Sequence, residues 1–337
     1  MRSLALALPL ALCLIAGPAT AQTVLRMANW LPPSHPLMKD VMVPYAAAIA
    51  EATEGRVTVQ ILDAPLGPPP AHYDFAVNGI ADITYGVHGY NPGRFKTVSI
   101  AEMPFLGDSA ETLSVAYWRV YEDMLAGAGE SDDVKVLAVF THGPGEIFTE
   151  GVDLSAGMPL EGTKIRVGGG IAGDVAAALG AAPMLAPSSK TYELLSGGVA
   201  DGILFPFESV TFFKLDSLLD RGLTVPGGLY NTSFFVVMNK ARWESLSAED
   251  QAAIDKVSGE ALARMAGQAW DKADAAGRAA MEGKITLTEA TPEQIDAFTA
   301  ALQPVIDAKL AEADEAGINA RAALAALKAE IETVTAE

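Results

Sequence analysis

The residues best suited to chemistry lie in the run Gly162-Thr-Lys-Ile-Arg-Val-Gly-Gly-Gly-Ile-Ala-Gly173. It reads as a strand turning into a helix, with Gly168, Gly170 and Gly173 spaced as G-x-G-x-x-G. Glycines at such a turn leave backbone N–H groups open to an anion at the helix N-terminus. A dinucleotide would also need an acidic residue at the end of a following strand to hold a ribose. Glu193 has about the right offset but sits in a helical pattern, so a smaller anion, a carboxylate, fits better. Arg166 stands one residue from the strand's C-terminal end, at the sheet edge where α/β proteins place ligands. Its planar fork grips a carboxylate with two parallel hydrogen bonds, which lysine cannot do. Further candidates follow other strand patterns: Trp30 after the first, and Tyr85, His88 and Tyr90 in Tyr-Gly-Val-His-Gly-Tyr. Glu208 is a candidate partner for a ligand hydroxyl or amine.

Enzyme chemistry finds little footing. The four histidines, His35, His72, His88 and His142, show no metal-ligand spacing. There is no Gly-x-Ser-x-Gly elbow, Ser188-Ser-Lys190 lacks the Ser-x-x-Lys spacing, and no Asp-x-Asp-x-Asp calcium loop occurs. No cofactor or metal is expected.

The elements that must position these residues alternate. Strand patterns at 24–29, 56–62, 83–85 and 135–141 interleave with helical ones at 41–52, 75–79 and 111–125. The series restarts with strands at 163–167 and 202–205 and helices at 174–179 and 191–196. This predicts α/β architecture with mostly parallel sheets, and two sheets in place of one long one. After a strand at 233–239, Ser247 caps a helical pattern that continues without proline to about residue 282. A second long helix is expected over 304–333.

At the N-terminus, Arg2, an apolar run over 4–15 and Ala19-Thr-Ala21 read as a signal peptide cleaved after residue 21. The run is too short to span a bilayer. The only cysteine, Cys13, lies inside it, so the remaining 316 residues carry no thiol or disulfide chemistry. They hold 22 basic and 42 acidic residues, a formal charge of −20 that repels nucleic acid and anionic lipid. An anion site must then rest on one or two well-placed donors. The expected compartment is the periplasm, with no membrane insertion of the mature chain.

Several stretches are similar to one family. Pro159-Leu-Glu-Gly-Thr-Lys-Ile-Arg-Val167, Leu179-Gly-Ala-Ala-Pro183, Tyr192-Glu-Leu-Leu-Ser-Gly-Gly-Val-Ala-Asp-Gly202 and Val236-Val-Met-Asn-Lys-Ala-Arg-Trp243 resemble the DctP-type solute receptors of TRAP transporters. Asn78-Gly-Ile-Ala-Asp-Ile83 and Met103-Pro-Phe-Leu106 do so too. The resemblance implies a two-domain periplasmic-binding-protein-like fold with crossing strands, a long helix shared by both domains, and closure around a ligand. It places 22–143 with 234–275 in the first domain, and 144–233 with 276–337 in the second. It implies Arg166 as the carboxylate clamp, Tyr230 and Asn231 near the recrossing between domains, and delivery to TRAP membrane permease subunits without an ATPase.

Two departures narrow the ligand. Many members carry a second arginine about twenty residues before the clamp, where this chain reads Thr141-His-Gly-Pro-Gly-Glu-Ile147. Many follow Asp-Gly with Gln-Glu-Asn-Pro, where this chain reads Ile203-Leu-Phe-Pro206. A second ligand charge would be poorly satisfied there. The sequence therefore predicts an apolar or aromatic monocarboxylate, with Phe205 and Phe207 as candidate walls. Alternatives are a ligand sensor of the same fold and a secreted enzyme.

Overall fold

The computed structural model describes residues 22–155 and 157–337. The expected leader 1–21, with Cys13, lies outside the described residues. In chain order the strands are β1 (Thr23–Met27), β2 (Val57–Ile61), β3 (Ile83–Val87), β4 (Val134–Thr141), β5 (Glu146–Thr149), β6 (Lys164–Val167), β7 (Ala182–Leu185), β8 (Gly202–Phe205), β9 (Arg221–Thr224), β10 (Ser233–Asn239) and β11 (Thr286–Glu289). They form a five-stranded sheet ordered β2-β1-β3-β10-β4 and a six-stranded sheet ordered β11-β9-β5-β8-β6-β7. The two sheets mark two α/β domains, and helices complete each.

Each sheet is mixed, where mostly parallel sheets were expected. β10 runs antiparallel to both β3 and β4, and β5 runs antiparallel to both β8 and β9. The reason is connectivity: the chain passes from β4 to β5 through residues 142–145 and returns from β9 to β10 through 225–232. Each domain thus receives one strand from the crossing chain, and that strand enters against the grain. β10 is buried over Ser233–Met238, which explains its unbroken apolar run Phe-Phe-Val-Val-Met. β5, β7, β9 and β11 have only four residues each and went unread in the sequence. Pro183 and Gly222 interrupt the period-2 signal in two of them.

The helix expected from Ser247 to about residue 282 is two helices. Ser247 does cap the first, accepting from Asp250 N, but it ends at Val257. Gly259 breaks the run at φ 59°, its N–H donating to Leu137 O at 2.7 Å, and Ser258 bonds Tyr45 at 2.7 Å. Those tertiary bonds override local helix propensity. The long helix is Glu260–Ala280, 21 residues, about 31 Å at 1.5 Å per residue. The tail also divides, into Pro292–Glu315 with Pro304 inside it and Ala320–Ala336, separated by Gly317 at φ 95°. The tail was expected with the second domain, but Ala320–Ala336 packs against Ala110–Val120 of the first.

The long helix spans both domains, packing on Ala110–Val120 of the first and on Phe207–Phe212 of the second. Two glycines permit this. A Cβ at Gly267 would lie 2.3 Å from Glu111 Cα, and one at Gly277 would lie 2.6 Å from Phe207 O. Gly267→Ala therefore reverses the usual gain of glycine to alanine in a helix. We expect it to destabilise the protein by about 1–3 kcal/mol in urea unfolding, because backbone cannot retreat as a side chain can.

Candidate functional site

Strand ends and crossing segments from both domains converge on a cavity between them, as the C-terminal edges of α/β sheets commonly do. Its walls include Trp30, Leu31 and His35 after β1, Val87 and Tyr90 at β3, His142 after β4, Arg166 and Gly168 at β6, and Phe205 and Pro206 at β8. Leu37, Ser188, Ser209, Phe213, Tyr230, Thr232, Phe234 and Trp270 complete it.

Arg166 is the dominant feature. It is only 1% exposed. Its Nε and Nη2 donate to Ala186 O at 3.0 and 2.6 Å, while Nη1 is buried with no hydrogen-bond partner. The guanidinium carbon lies 4.3 Å from the Phe205 ring centroid, a cation–π contact. No carboxylate pairs with it among the described residues. Burial pulls its pKa below the ordinary value, with Tyr90 and Tyr230 opposing, yet a guanidinium stays protonated in proteins. Tyr90, from the first domain, accepts from Ser188 N of the second at 3.0 Å and so ties the domains beside the guanidinium.

Six of the ten residues singled out from the sequence line this cavity: Arg166, Gly168, Phe205, Tyr90, Tyr230 and Trp30. The other four are placed elsewhere. Tyr85 is fully buried behind Trp30, stacked on it at 5.9 Å, with its hydroxyl on Asn29. His88 bonds Ser233 Oγ at 3.1 Å and packs on Phe95 and Phe235. Glu208 sits behind the wall, accepting from Ser209 Oγ at 2.8 Å, with Oε1 3.5 Å from His35 Nε2. The Asn231 amide donates to the carbonyls of His142 and Gly143 at 3.3 and 3.2 Å, bracing the crossing segment. Phe207, a candidate wall, packs instead on Phe148 at 5.7 Å and under Arg278.

The glycine turn also differs from expectation. Its helix N-terminus is already filled: Glu102 accepts from Ile171 N at 3.1 Å, and from Ser233 N and Oγ at 3.1 and 2.7 Å. Gly170 is required there, since a Cβ would lie 2.3 Å from Glu102 Oε2. The protein's own carboxylate takes the place assigned to a ligand's. A neighbouring groove of ≈ 650 Å³, lined in part by His88, Gly89, Glu102 and Lys309, is much larger than the Arg166 cavity. It offers no buried unpaired charge, and the Arg166 cavity is therefore the better candidate.

Sequence reasoning missed His35, His142, Phe213, Phe234 and Trp270 as wall residues. His142 directly follows a predicted strand, so the strand-end rule could have found it. Trp270 faces the cavity from the shared helix, which no local pattern reveals.

Comparison with known proteins gives this geometry a family. The profile of the bacterial extracellular solute-binding protein, family 7 (DctP), matches residues 27–313. The chain belongs to that family. A relative, the outer membrane transporter protein TsaT of Comamonas testosteroni, is 33% identical over 92% of each chain. Among solved structures, a TRAP periplasmic solute-binding protein from Bordetella bronchiseptica, with bound (R)- and (S)-mandelate, is 41% identical. It covers 92% of this chain and 99% of its own at TM-score 0.90. A TRAP solute-binding protein from Rhodoferax ferrireducens, with copurified benzoate, is 27% identical over 94% and 99% at TM-score 0.87. The protein is thus a periplasmic TRAP-type solute-binding protein, and none of its described helices is long and apolar enough to cross a membrane.

Burial shifts several of the receptor's titratable groups toward their neutral forms. Burial lowers His35 to about 3 and His142 to about 4, the positive charge of Arg166 adding to the effect at His142. Burial raises Glu208 to about 8, against its bond from Ser209, and Asp274 to about 7, against its bond from Glu208 N. A carboxyl raised in the folded state keeps a proton that the unfolded chain has lost, so stability falls as pH rises through the folded pKa. The depressed histidines act in the opposite sense, but only below their unfolded value of 6.5. Between pH 6.5 and 8 the raised carboxyls therefore decide the sign. Urea-unfolding free energy is expected to fall across that window, and Glu208→Gln to flatten the slope by up to about 1.4 kcal/mol per pH unit. A slope unchanged in the variant would contradict the buried protonated carboxyl.

Proposed function

We propose that this receptor captures an aromatic monocarboxylate by closing its two domains, and passes it unchanged to a TRAP membrane permease driven by an ion gradient. The observation that carries the reading is Arg166: a buried cation with one donor nitrogen unpartnered and no protein counter-ion, set in a box of aromatic rings. An unpaired buried charge is costly, and a ligand carboxylate removes that cost through two parallel hydrogen bonds. Micromolar capture needs about −8 kcal/mol. Burying an aryl ring contributes roughly 1.5–3 kcal/mol of it, so the charge pair must supply much of the rest.

The cavity supports a small planar body, with only ≈ 40 Å³ open to the centres of water-sized atoms. Phe205, Phe213, Phe234 and Trp270 suit a ring, and among the described residues no second lysine or arginine lines the cavity to hold a second carboxylate. The mandelate and benzoate found in the two relatives are acids of that class. Conversion of the ligand is not part of this reading, because the family is one of solute-binding proteins and neither wall histidine is hydrogen-bonded to a serine of the cavity.

Two measurements test the proposal. In thermal-shift assays benzoate-like and mandelate-like acids should raise Tm, while succinate and sialic acid should not; stabilisation by dicarboxylates alone would reject the ligand class. By titration calorimetry Arg166→Ala should weaken binding by about 30-fold to several thousand-fold, the loss of one member of a buried charge pair. A change under about threefold would remove Arg166 from the site.

A further inference from the structure

His142 lines the same cavity as Arg166 and is buried. Its Nδ1 faces the carbonyl of Gly143. A carbonyl only accepts, so Nδ1 carries the proton, and in a neutral imidazole Nε2 is then a bare lone pair. The ring is held on several sides: edge-on to Tyr230 at 5.7 Å and to Trp270 at 5.8 Å, with Asn231 bracing its backbone carbonyl at 3.3 Å. Among the described residues no group donates to Nε2. His35, the other wall histidine, is arranged the opposite way. Its Nδ1 accepts from Leu37 N at 3.1 Å, so its Nε2–H is a donor, and Glu208 Oε1 lies 3.5 Å from it. The hydroxyls of Tyr90, Tyr230, Ser188 and Thr232 can donate or accept and so discriminate little.

We infer that His142 reads a hydroxyl on the carbon next to the ligand's carboxylate, making this receptor selective for α-hydroxy aryl acids over their deoxy analogues. The inference rests on the aromatic-carboxylate reading above. Arg166, His142 and Tyr230 line one small cavity, with Tyr230 edge-on to the imidazole at 5.7 Å, so a carboxylate held by Arg166 keeps its α-carbon in the space that the imidazole also borders. A carboxylate oxygen cannot donate to that lone pair, but an α-hydroxyl can. An acid lacking the hydroxyl leaves Nε2 desolvated and unpaired, which corresponds to about a 5- to 150-fold loss in affinity.

Calorimetric titration of the full mature protein with mandelate and with phenylacetate, near neutral pH, tests this. Mandelate should bind about 5- to 150-fold tighter to the natural protein. In His142→Phe the ratio should collapse to within about threefold, and His142→Gln, whose amide oxygen still accepts, should restore part of it. Equal binding of the two acids by the natural protein, or a ratio unchanged in His142→Phe, would overturn the role of His142 while leaving the aromatic-acid reading intact. Failure of both acids to bind would overturn both. Nitrogen-15 NMR of the imidazole gives a check that needs no variant to fold: an Nε2–H tautomer of His142 would also overturn the assignment.

Discussion

A guanidinium taken out of water and left without a counter-ion is the constraint on which the rest of the structure depends. Arg166 is satisfied by Ala186 O on one edge and by the Phe205 face, and its remaining donor has no partner in the protein. A protein selected only for stability would replace such a group or pair it. Here the chain carries 42 acidic residues, yet none of the described ones approaches this cation. Acid is abundant everywhere except where it would compete with an anionic ligand.

The two-domain frame builds that arrangement from two separate sheets. Arg166 and Phe205 lie on strands of the second sheet, with Gly168 just past one of them, while Trp30 and Tyr90 follow strands of the first, so the cavity exists only where the domains meet. The crossing segments supply His142, Tyr230 and Thr232, and the shared helix supplies Trp270. The parts of the site nearest the joints are thus carried by the chain that links the domains. Glu102 adds a second tie, its carboxylate capping the helix Ile171–Ala178 of the other domain. That bond gives an anion to a helix terminus, the same attraction that the sequence had suggested for a ligand.

Charge neutrality is the other organising feature. His35 and His142 are buried as neutral rings, and Glu208 and Asp274 as protonated or nearly protonated carboxyls, all driven by desolvation. Arg166 alone among the cavity's titratable groups cannot neutralise itself, because its intrinsic pKa is too high. The single charge in the cavity is therefore set by residue type more than by local fine-tuning.

By itself the sequence determined the alternating elements and the two-sheet plan, and it singled out Arg166 as the candidate clamp. Strand and helix periodicities survive in one dimension, and Arg166 beside a strand end and a glycine turn is a local signal. It also identified Trp30, Tyr90, Phe205 and Tyr230, each near a strand end or crossing. Only the tertiary structure decided which of the neighbouring polar groups face the cavity. Tyr85 and Tyr90 sit five residues apart in one motif, yet one lies beneath Trp30 and the other faces Arg166. The helix broken at Gly259 and the amide row claimed by Glu102 both follow from partners distant in sequence. Periodicity encodes which face of an element is buried; what it is buried against is a property of the assembled chain.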